Sequence, residues 1–375
     1  MDRRTFIRGS GIAGIAALAG CTGGPTEGSG SNDSENGNGT GDGDGDGSSG
    51  SAEVSANVGV VYATGGLGDG SFNDQAQQGI QQAESELNIS YNDAQPDEVS
   101  QFKSFQQQFA QSTNPDYDLV CCIGFLQKSA LAENAPDYPD QNFMIVDEVV
   151  EEPNVASYVF GEEEGSFLVG QLAGLLTTRE FSAGSGSTNP DRASVGFVGG
   201  VEGSLIGKFE AGFIAGVARA NADAEVQSTY VGDFNDPAGG KEAALAMYNS
   251  GADIVYHAAG NTGTGVFEAA QEAGRFAIGV DQDQSKTKSN YADVILASMV
   301  KRVDTAVYTS VENVVNGEFD GGNVTTLGLE QDGVEVVYGQ QLGGQISGDV
   351  KSEIKASQQA IIDGEISVPA DPANV

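Results

Sequence analysis

Asn57-Val58-Gly59-Val60-Val61-Tyr62-Ala63 runs directly into Thr64-Gly65-Gly66-Leu67-Gly68-Asp69-Gly70-Ser71, and then into Phe72-Asn73-Asp74. The first seven residues form a short β-rich run, and the glycine-rich loop after it opens onto a helix-like segment, 72–87. That order is a βα unit. Outward from it the alternation repeats, with a helix predicted at 98–111 and buried strands at 118–124, 142–146 and 155–160. Strands this apolar imply a sheet covered on both faces. A second series follows: helix 165–178, strand 193–198, helix 205–220, strand 226–231, helix 238–249, strand 253–259, helix 265–273 and strand 276–280. The polar Gly/Ser-rich stretch 182–191 reads as an insertion inside that series. Two parallel sheets in one α/β chain are the economical solution. The length, 375 residues, allows two core-bearing domains even after the first fifty or so are set aside as non-globular.

In doubly wound sheets, ligands bind outside the carboxyl ends of the strands. This rule selects the loop 64–73, Asp147 after Met-Ile-Val, Gly260-Asn261 after Ile-Val-Tyr-His-Ala-Ala, and Asp281 after Ala-Ile-Gly-Val. Each has a plain alternative, because Gly and Asp at strand ends also make turns and helix caps.

The amino terminus reads as an address. Asp2-Arg3-Arg4-Thr5-Phe6-Ile7-Arg8 precedes a small-residue apolar stretch, 9–17, and then Leu18-Ala19-Gly20-Cys21. The twin arginine resembles a twin-arginine export signal, and Leu-Ala-Gly-Cys resembles a lipobox whose cysteine is lipidated after cleavage. An apolar run of about a dozen residues is too short to span a bilayer, which takes about twenty. Residues 1–21 are therefore expected to be signal and lipobox, with Cys21 the lipidated mature terminus. From 22 to 54 the chain is almost wholly Gly, Ser, Asp, Asn, Glu and Thr, a composition expected to give a disordered tether. Its Asp-Gly run lacks a complete calcium-loop pattern.

The chain holds 17 basic and 54 acidic side chains, a formal charge of −37. Such a field disfavours nucleic acid and anionic headgroups, and it self-repels unless salt screens it. The carboxylates are scattered rather than clustered at ligand spacing, so the acidity is read as adaptation to a saline setting, that of an extreme halophile. Nine lysines and the absence of Trp agree with this. Cys121 and Cys122 are adjacent in a buried-looking strand, which suits core packing better than a disulfide scaffold.

Enzyme readings fare poorly. Gly66-Leu67-Gly68 supplies two glycines of a dinucleotide fingerprint, but the sixth position is Ser71. His257 is the single histidine and falls inside a probable strand, so neither zinc spacing nor a Ser-His-Asp triad is supported. No cofactor and no metal are expected. Binding without chemistry is the leading class, with a sensory receptor, or a binding protein for another small polar ligand such as a sugar or amino acid, as the alternative.

The string Gly65-Gly66-Leu67-Gly68-Asp69-Gly70-Ser71-Phe72-Asn73-Asp74 resembles the hallmark of the basic membrane protein (BMP) family, the purine-nucleoside-receptor group of ABC-type binding lipoproteins. Glu164-Gly165-Ser166-Phe167-Leu168-Val169-Gly170, Gly207-Lys208-Phe209-Glu210-Ala211-Gly212-Phe213, His257-Ala258-Ala259-Gly260, Gly279-Val280-Asp281 and Met299-Val300-Lys301-Arg302-Val303-Asp304 are similar to that family's blocks, in the same order. The likeness runs from about residue 57 to 318. It implies a type I periplasmic-binding-protein fold, two Rossmann-like lobes joined by a three-strand hinge. By that likeness the first lobe comprises 55–158 with 292–318, and the second 159–291 with 319–375.

The resemblance also implies a ligand site. Phe72 and Phe209 match the aromatic rings that enclose a nucleobase, and stacking of this kind contributes about 1–3 kcal/mol per base. Asp147 and Asp281 match the carboxylates that grip ribose hydroxyls, and Lys301 matches a basic residue beside them. Asn73 offers a donor and an acceptor to a base edge, and Gly260 admits close backbone approach. For each a bland role competes: core packing for the rings, a cap for Asn73, a solvated face for Lys301, a turn for Gly260. One departure is visible, for Ala63-Thr64 stands where family members often carry an acidic residue. The implied partners are a nucleoside, the permease and ATPase subunits of an ABC importer, and the outer face of the cell membrane through the lipid anchor. A monomer that binds no nucleic acid is expected.

Overall fold

The computed structural model describes residues 54–375, together with a two-residue strand at Thr26–Glu27. The residues expected to form the signal and lipobox, Cys21 among them, lie outside the described residues, as does most of 22–54, the expected tether. Within the tether, Thr26–Glu27 pairs antiparallel with the edge strand Ser90–Ala94.

The first half is built from β1 (Asn57–Val61), α1 (Phe72–Leu87), β2 (Ser90–Ala94), α2 (Phe102–Ala110), β3 (Leu119–Cys122), α3 (Lys128–Asn134), β4 (Phe143–Val146) and β5 (Val155–Phe160). Their sheet runs β2-β1-β3-β4-β5, all parallel. Every residue of β3 and β4 is buried, as expected for strands covered on both faces. Cys121 and Cys122 are free thiols on opposite faces of β3, each packed into a different apolar cluster. Gly59 makes room for α2, since a Cβ there would lie 2.7 Å from the Phe109 ring.

The second half continues with α4 (Glu162–Thr177), β6 (Ser194–Gly199), α5 (Ser204–Ala220), β7 (Glu225–Tyr230), α6 (Pro237–Asn249), β8 (Ile254–Ala258), α7 (Gly263–Ala273), β9 (Phe276–Asp281) and β10 (Ile295–Lys301). Then come α8 (Val303–Val315), β11 (Val324–Leu327), β12 (Val334–Tyr338) and α9 (Gly348–Ile362). The second sheet runs β7-β6-β8-β9-β10-β12, parallel except for the last strand. Helices α4 and α5 pack closely through glycines: a Cβ on Gly170 or Gly216 would lie 2.2 or 2.0 Å from a carbonyl oxygen of the facing helix. The 182–191 insertion carries a minute hairpin, Ser182–Ala183 against Gly186–Ser187.

The chain crosses between the sheets three times, after β5, after β10 and after β11. Strand membership differs from the expected division at two places. Ile295–Lys301 pairs with β9 in the second sheet, whereas Val324–Leu327 pairs with β5 in the first. Apolar pattern marks a strand as buried, but only pairing decides which sheet it joins. The result is an α/β molecule of two lobes with the strands' carboxyl ends facing a common cleft. Among the described residues, no helix is long and apolar enough to cross a membrane.

Candidate functional site

Between the lobes lies a cavity of about 660 Å³, counted to its open mouth. Ten lining residues come from each lobe, from the start of α1 and the loops that follow β1, β3 and β4 on one side and from α5 and the ends of β7, β8, β9 and β10 on the other. The walls are largely apolar and aromatic, with a few polar groups gathered at one end.

The glycine-rich loop after β1 is shaped by its own carboxylates. Asp74 accepts backbone N–H bonds from Gly68 and Gly70, both at 2.7 Å, while Asp69 accepts from Ser71 at 2.8 Å, Asn73 at 3.0 Å and Asp74 at 3.2 Å. Gly65, Gly66, Gly68 and Gly70 all have positive φ, a conformation that glycine alone adopts at no steric cost. Burial pushes the Asp69 carboxyl up to about 6, against the backbone N–H bonds that favour its ionised form. The amides that a pyrophosphate needs in a dinucleotide loop are thus already committed to side chains.

At the polar end, Asp147 directly follows β4 and Asp281 ends β9, with φ of 71° and 63°. Two non-glycine residues held in the left-handed region mark this as a place where local strain of order 1 kcal/mol is tolerated for position. Lys301, the last residue of β10, reaches Asp147 Oδ1 and Oδ2 at 2.8 and 2.7 Å, so that an ion pair joins the lobes. Its ammonium also lies 3.6 Å from Glu162 Oε1 and 4.9, 5.2 and 5.4 Å from the ring centroids of Phe72, Phe160 and Phe209. Burial works to depress the Lys301 pKa, but Asp147, Glu162 and Asp281 outweigh it and hold the ammonium above its usual value. For Asp281 burial dominates and raises the carboxyl, with Lys301 and the Ser71 hydroxyl opposing. Ser71 donates to Asp281 Oδ2 at 2.5 Å, a second link between lobes.

Comparison with known proteins adds a family to this geometry. The family profile Bmp, described as "ABC transporter substrate-binding protein PnrA-like", matches residues 56–372. The chain belongs to the Bmp family. It is 37% identical over 334 residues to the CD4+ T-cell-stimulating antigen of Listeria monocytogenes, covering 84% of this chain and 88% of that protein. It is 31% identical to the ABC transporter nucleoside-binding protein BmpA of Lactococcus lactis, covering 96% of both. Among solved structures, a solute-binding protein of an ABC transporter system from Aeropyrum pernix superposes with a TM-score of 0.75 at 30% identity, covering 84% of this chain and 94% of that one. The molecule is accordingly an ABC transporter substrate-binding protein with the type I periplasmic-binding fold. Its relatives are binding proteins rather than enzymes.

In this Bmp-family chain, the cavity brings together Phe72, Asn73, Asp147, Phe209, Gly260, Asp281 and Lys301, the whole set singled out from the sequence. Lys301 is buried, not a solvated helix-face lysine. Asn73 Oδ1 accepts the Ala63 N–H at 2.9 Å, which takes one of that oxygen's two acceptor sites and leaves Nδ2 as the donor. Thr64 lines the wall where an acidic side chain was expected from the family. Phe209 lines the cavity but is only 3% exposed.

Two further rings were not anticipated: Phe125, after β3, and Phe234, after β7, meet edge to face across the lobes at 6.3 Å and 84°. The strand-end rule that selected the other loops also covers these two. Glu162 was missed as well, because α4 begins three residues before the helix expected at 165 and carries Glu162 into the buried interior. There Lys208 approaches its Oε2 at 3.2 Å. His257 is fully buried behind the cavity, and burial pushes it down to about 4, so it is neutral.

Proposed function

We propose that this protein captures a nucleoside, with a purine preferred, in the interlobe cavity and presents it to the permease and ATPase of an ABC importer. The observation that carries this reading is a single cavity, built equally from both lobes, with aromatic walls and a carboxylate–ammonium–carboxylate end. A flat base suits the aromatic part: Phe72 offers one face, and Phe209 or Phe234 faces it. The sugar suits the other end, where Asp147 and Asp281 accept its hydroxyls at charge-assisted strength and Lys301 donates. Asn73 Nδ2 and the backbone at Gly260 then address the base edge. The name of the Lactococcus lactis relative, a nucleoside-binding protein, supports the same class.

Capture follows from the geometry. Ligand contacts exist on both lobes only when the cleft is closed, so a ligand draws the population toward the closed form. The export signal and lipobox expected at 1–21 support anchoring through Cys21 on the outer face of the membrane, with 22–54 as the tether to a monomeric body. The charge of −37 supports a saline habitat.

The test is a thermal-shift panel in concentrated salt, comparing purine and pyrimidine nucleosides, free bases, sugars and amino acids. Purine nucleosides are expected to raise the melting temperature, followed by saturable binding in calorimetry. A folded protein that ignores every nucleoside but is stabilised by a sugar or an amino acid overturns the reading.

A further inference from the structure

The glycine-rich turn before α1 does more than line the cavity, because its main-chain carbonyls are bonded across the cleft. Gly70 O accepts from Gln284 Nε2 at 3.1 Å and from Thr287 Oγ1 at 3.0 Å, and Ser71 O accepts from Gln282 Nε2 at 2.9 Å. Residues 70 and 71 belong to the first lobe, and 282–287 follow β9 in the second.

Gln284 is held more firmly than its neighbours. The Val280 N–H, which can only donate, gives a 2.8 Å bond to Gln284 Oε1. This fixes which end of the amide is oxygen and leaves Nε2 for the Gly70 carbonyl, which can only accept. His257 Nε2 lies 2.9 Å from the same oxygen and must therefore carry its proton, while Nδ1 stays bare and has no partner. The Gln284 main-chain N–H bonds Ser298 Oγ at 3.1 Å. Gly279 supplies the space, since a Cβ there would stand 2.6 Å from Gln284 Oε1 and 2.7 Å from Ser298 Oγ. A fully buried residue is thus tied to the second lobe twice through its side chain and once through its main chain, and it delivers one N–H to the first.

We infer that Gln284 is a positioning residue for ligand capture: it docks the Gly70–Ser71 turn onto the second lobe and so fixes the spacing between Phe72–Asn73 and Asp281. The inference rests on the interlobe cavity being the ligand site, as proposed above. Gln284 does not line that cavity; it acts through Gly70, and His257 acts through Gln284 by holding its amide in register. Because the strut exists only in the closed form, its loss speeds ligand escape and leaves encounter with the open form unchanged.

The experiment uses the full chain in concentrated salt, with adenosine and guanosine as probes, and compares wild type with Gln284→Ala and Thr287→Val. Gln284→Ala is expected to speed dissociation about tenfold, the scale of one lost hydrogen bond plus a loosened turn, with association within about twofold of wild type. Thr287 is exposed, so Thr287→Val keeps the fold and gives a smaller change in the same direction; if Gln284→Ala does not fold, Thr287→Val decides alone. Dissociation rates of the folded variants within about twofold of wild type overturn the inference. A wild type that binds neither nucleoside refutes the nucleoside reading instead. The strut is then read by small-angle X-ray scattering in the presence of the sugar or amino acid that stabilises wild type: a larger radius of gyration in the variants supports it, and equal radii overturn it.

Discussion

Replacing Lys301 by Met tests whether the charged end of the cavity is held together by a single ammonium. Lys301 is 1% exposed, and it lies within 3.6 Å of two carboxylates, Asp147 and Glu162, with Asp281 acting on it electrostatically. Methionine keeps the apolar stem and its packing against Phe72, Phe160 and Phe209 but leaves the carboxylates facing one another. Removing one partner of a buried pair costs about 3–5 kcal/mol, and the lost cation–π attraction adds roughly 1 kcal/mol, so the expected loss at pH 8 is about 4–6 kcal/mol. The sign of the pH dependence follows from the same groups. The raised pKa of Lys301 means its stabilisation is complete below the unfolded value of 10.5 and does not change between pH 8 and 5. Burial already raises Glu162 and Asp281, and without the ammonium both rise further, so they bind protons in the folded state before they do in the unfolded one. Acidification therefore stabilises the variant relative to wild type, and the gap narrows from pH 8 to pH 5. The assay is urea denaturation in concentrated salt at both pH values, with Lys301→Met/Asp147→Asn as the companion that removes both partners and recovers much of the loss. A loss below about 1 kcal/mol at pH 8, or a gap that widens on acidification, refutes the reasoning.

Three other outcomes are expected. Phe72→Ala and Asp281→Ala each weaken nucleoside binding by at least about tenfold in calorimetry, with the melting temperature of the free protein nearly unchanged for Phe72→Ala, since one stacked base contributes about 1–3 kcal/mol. Phe209→Ala and Phe234→Ala separate the two rings that could face Phe72: the buried Phe209 costs about 3–5 kcal/mol of fold stability in denaturation, whereas the partly exposed Phe234 costs mainly affinity. Raising salt from about 0.1 M to several molar raises the melting temperature, because screening relieves the repulsion that a charge of −37 creates; a flat or falling curve contradicts the saline reading.

Much of this site was legible because strand ends in a parallel sheet are both easy to find and obligatory as ligand-facing positions. The loop 64–73, Asp147, Gly260 and Asp281 needed only the end of an apolar run, and each lines the cavity. Phe209 and Lys301 came through family resemblance, since nothing in their local pattern separates them from a core ring and a surface lysine. Glu162 was illegible for a physical reason. Glu162 is one of three consecutive glutamates that precede the helix expected at 165, and Lys301 and Lys208, brought from a distant strand and helix, make it tolerable in the interior. Register across the lobes was hidden in the same way. Ile295–Lys301 and Val324–Leu327 are ordinary strands whose sheet is chosen by partners far away in sequence.

The acidity of the whole chain and the composition of the cavity constrain the ligand together. Within the charged end, three carboxylates, Asp147, Glu162 and Asp281, are met by two ammonium groups, Lys301 and Lys208, so the cluster has no surplus positive charge for a phosphate. Outside it, the field of the scattered carboxylates repels anions at any distance that salt leaves unscreened. The glycine loop, the other place where a phosphate would be sought, has its amides at Gly68, Gly70, Ser71, Asn73 and Asp74 bonded to Asp69 and Asp74. A nucleoside monophosphate is therefore expected to bind at least about a hundredfold more weakly than its nucleoside, the scale of about 3 kcal/mol for one uncompensated buried charge. Competition calorimetry with adenosine and its 5′-monophosphate decides the matter, and equal affinity for the two overturns the electrostatic assignment of the cavity.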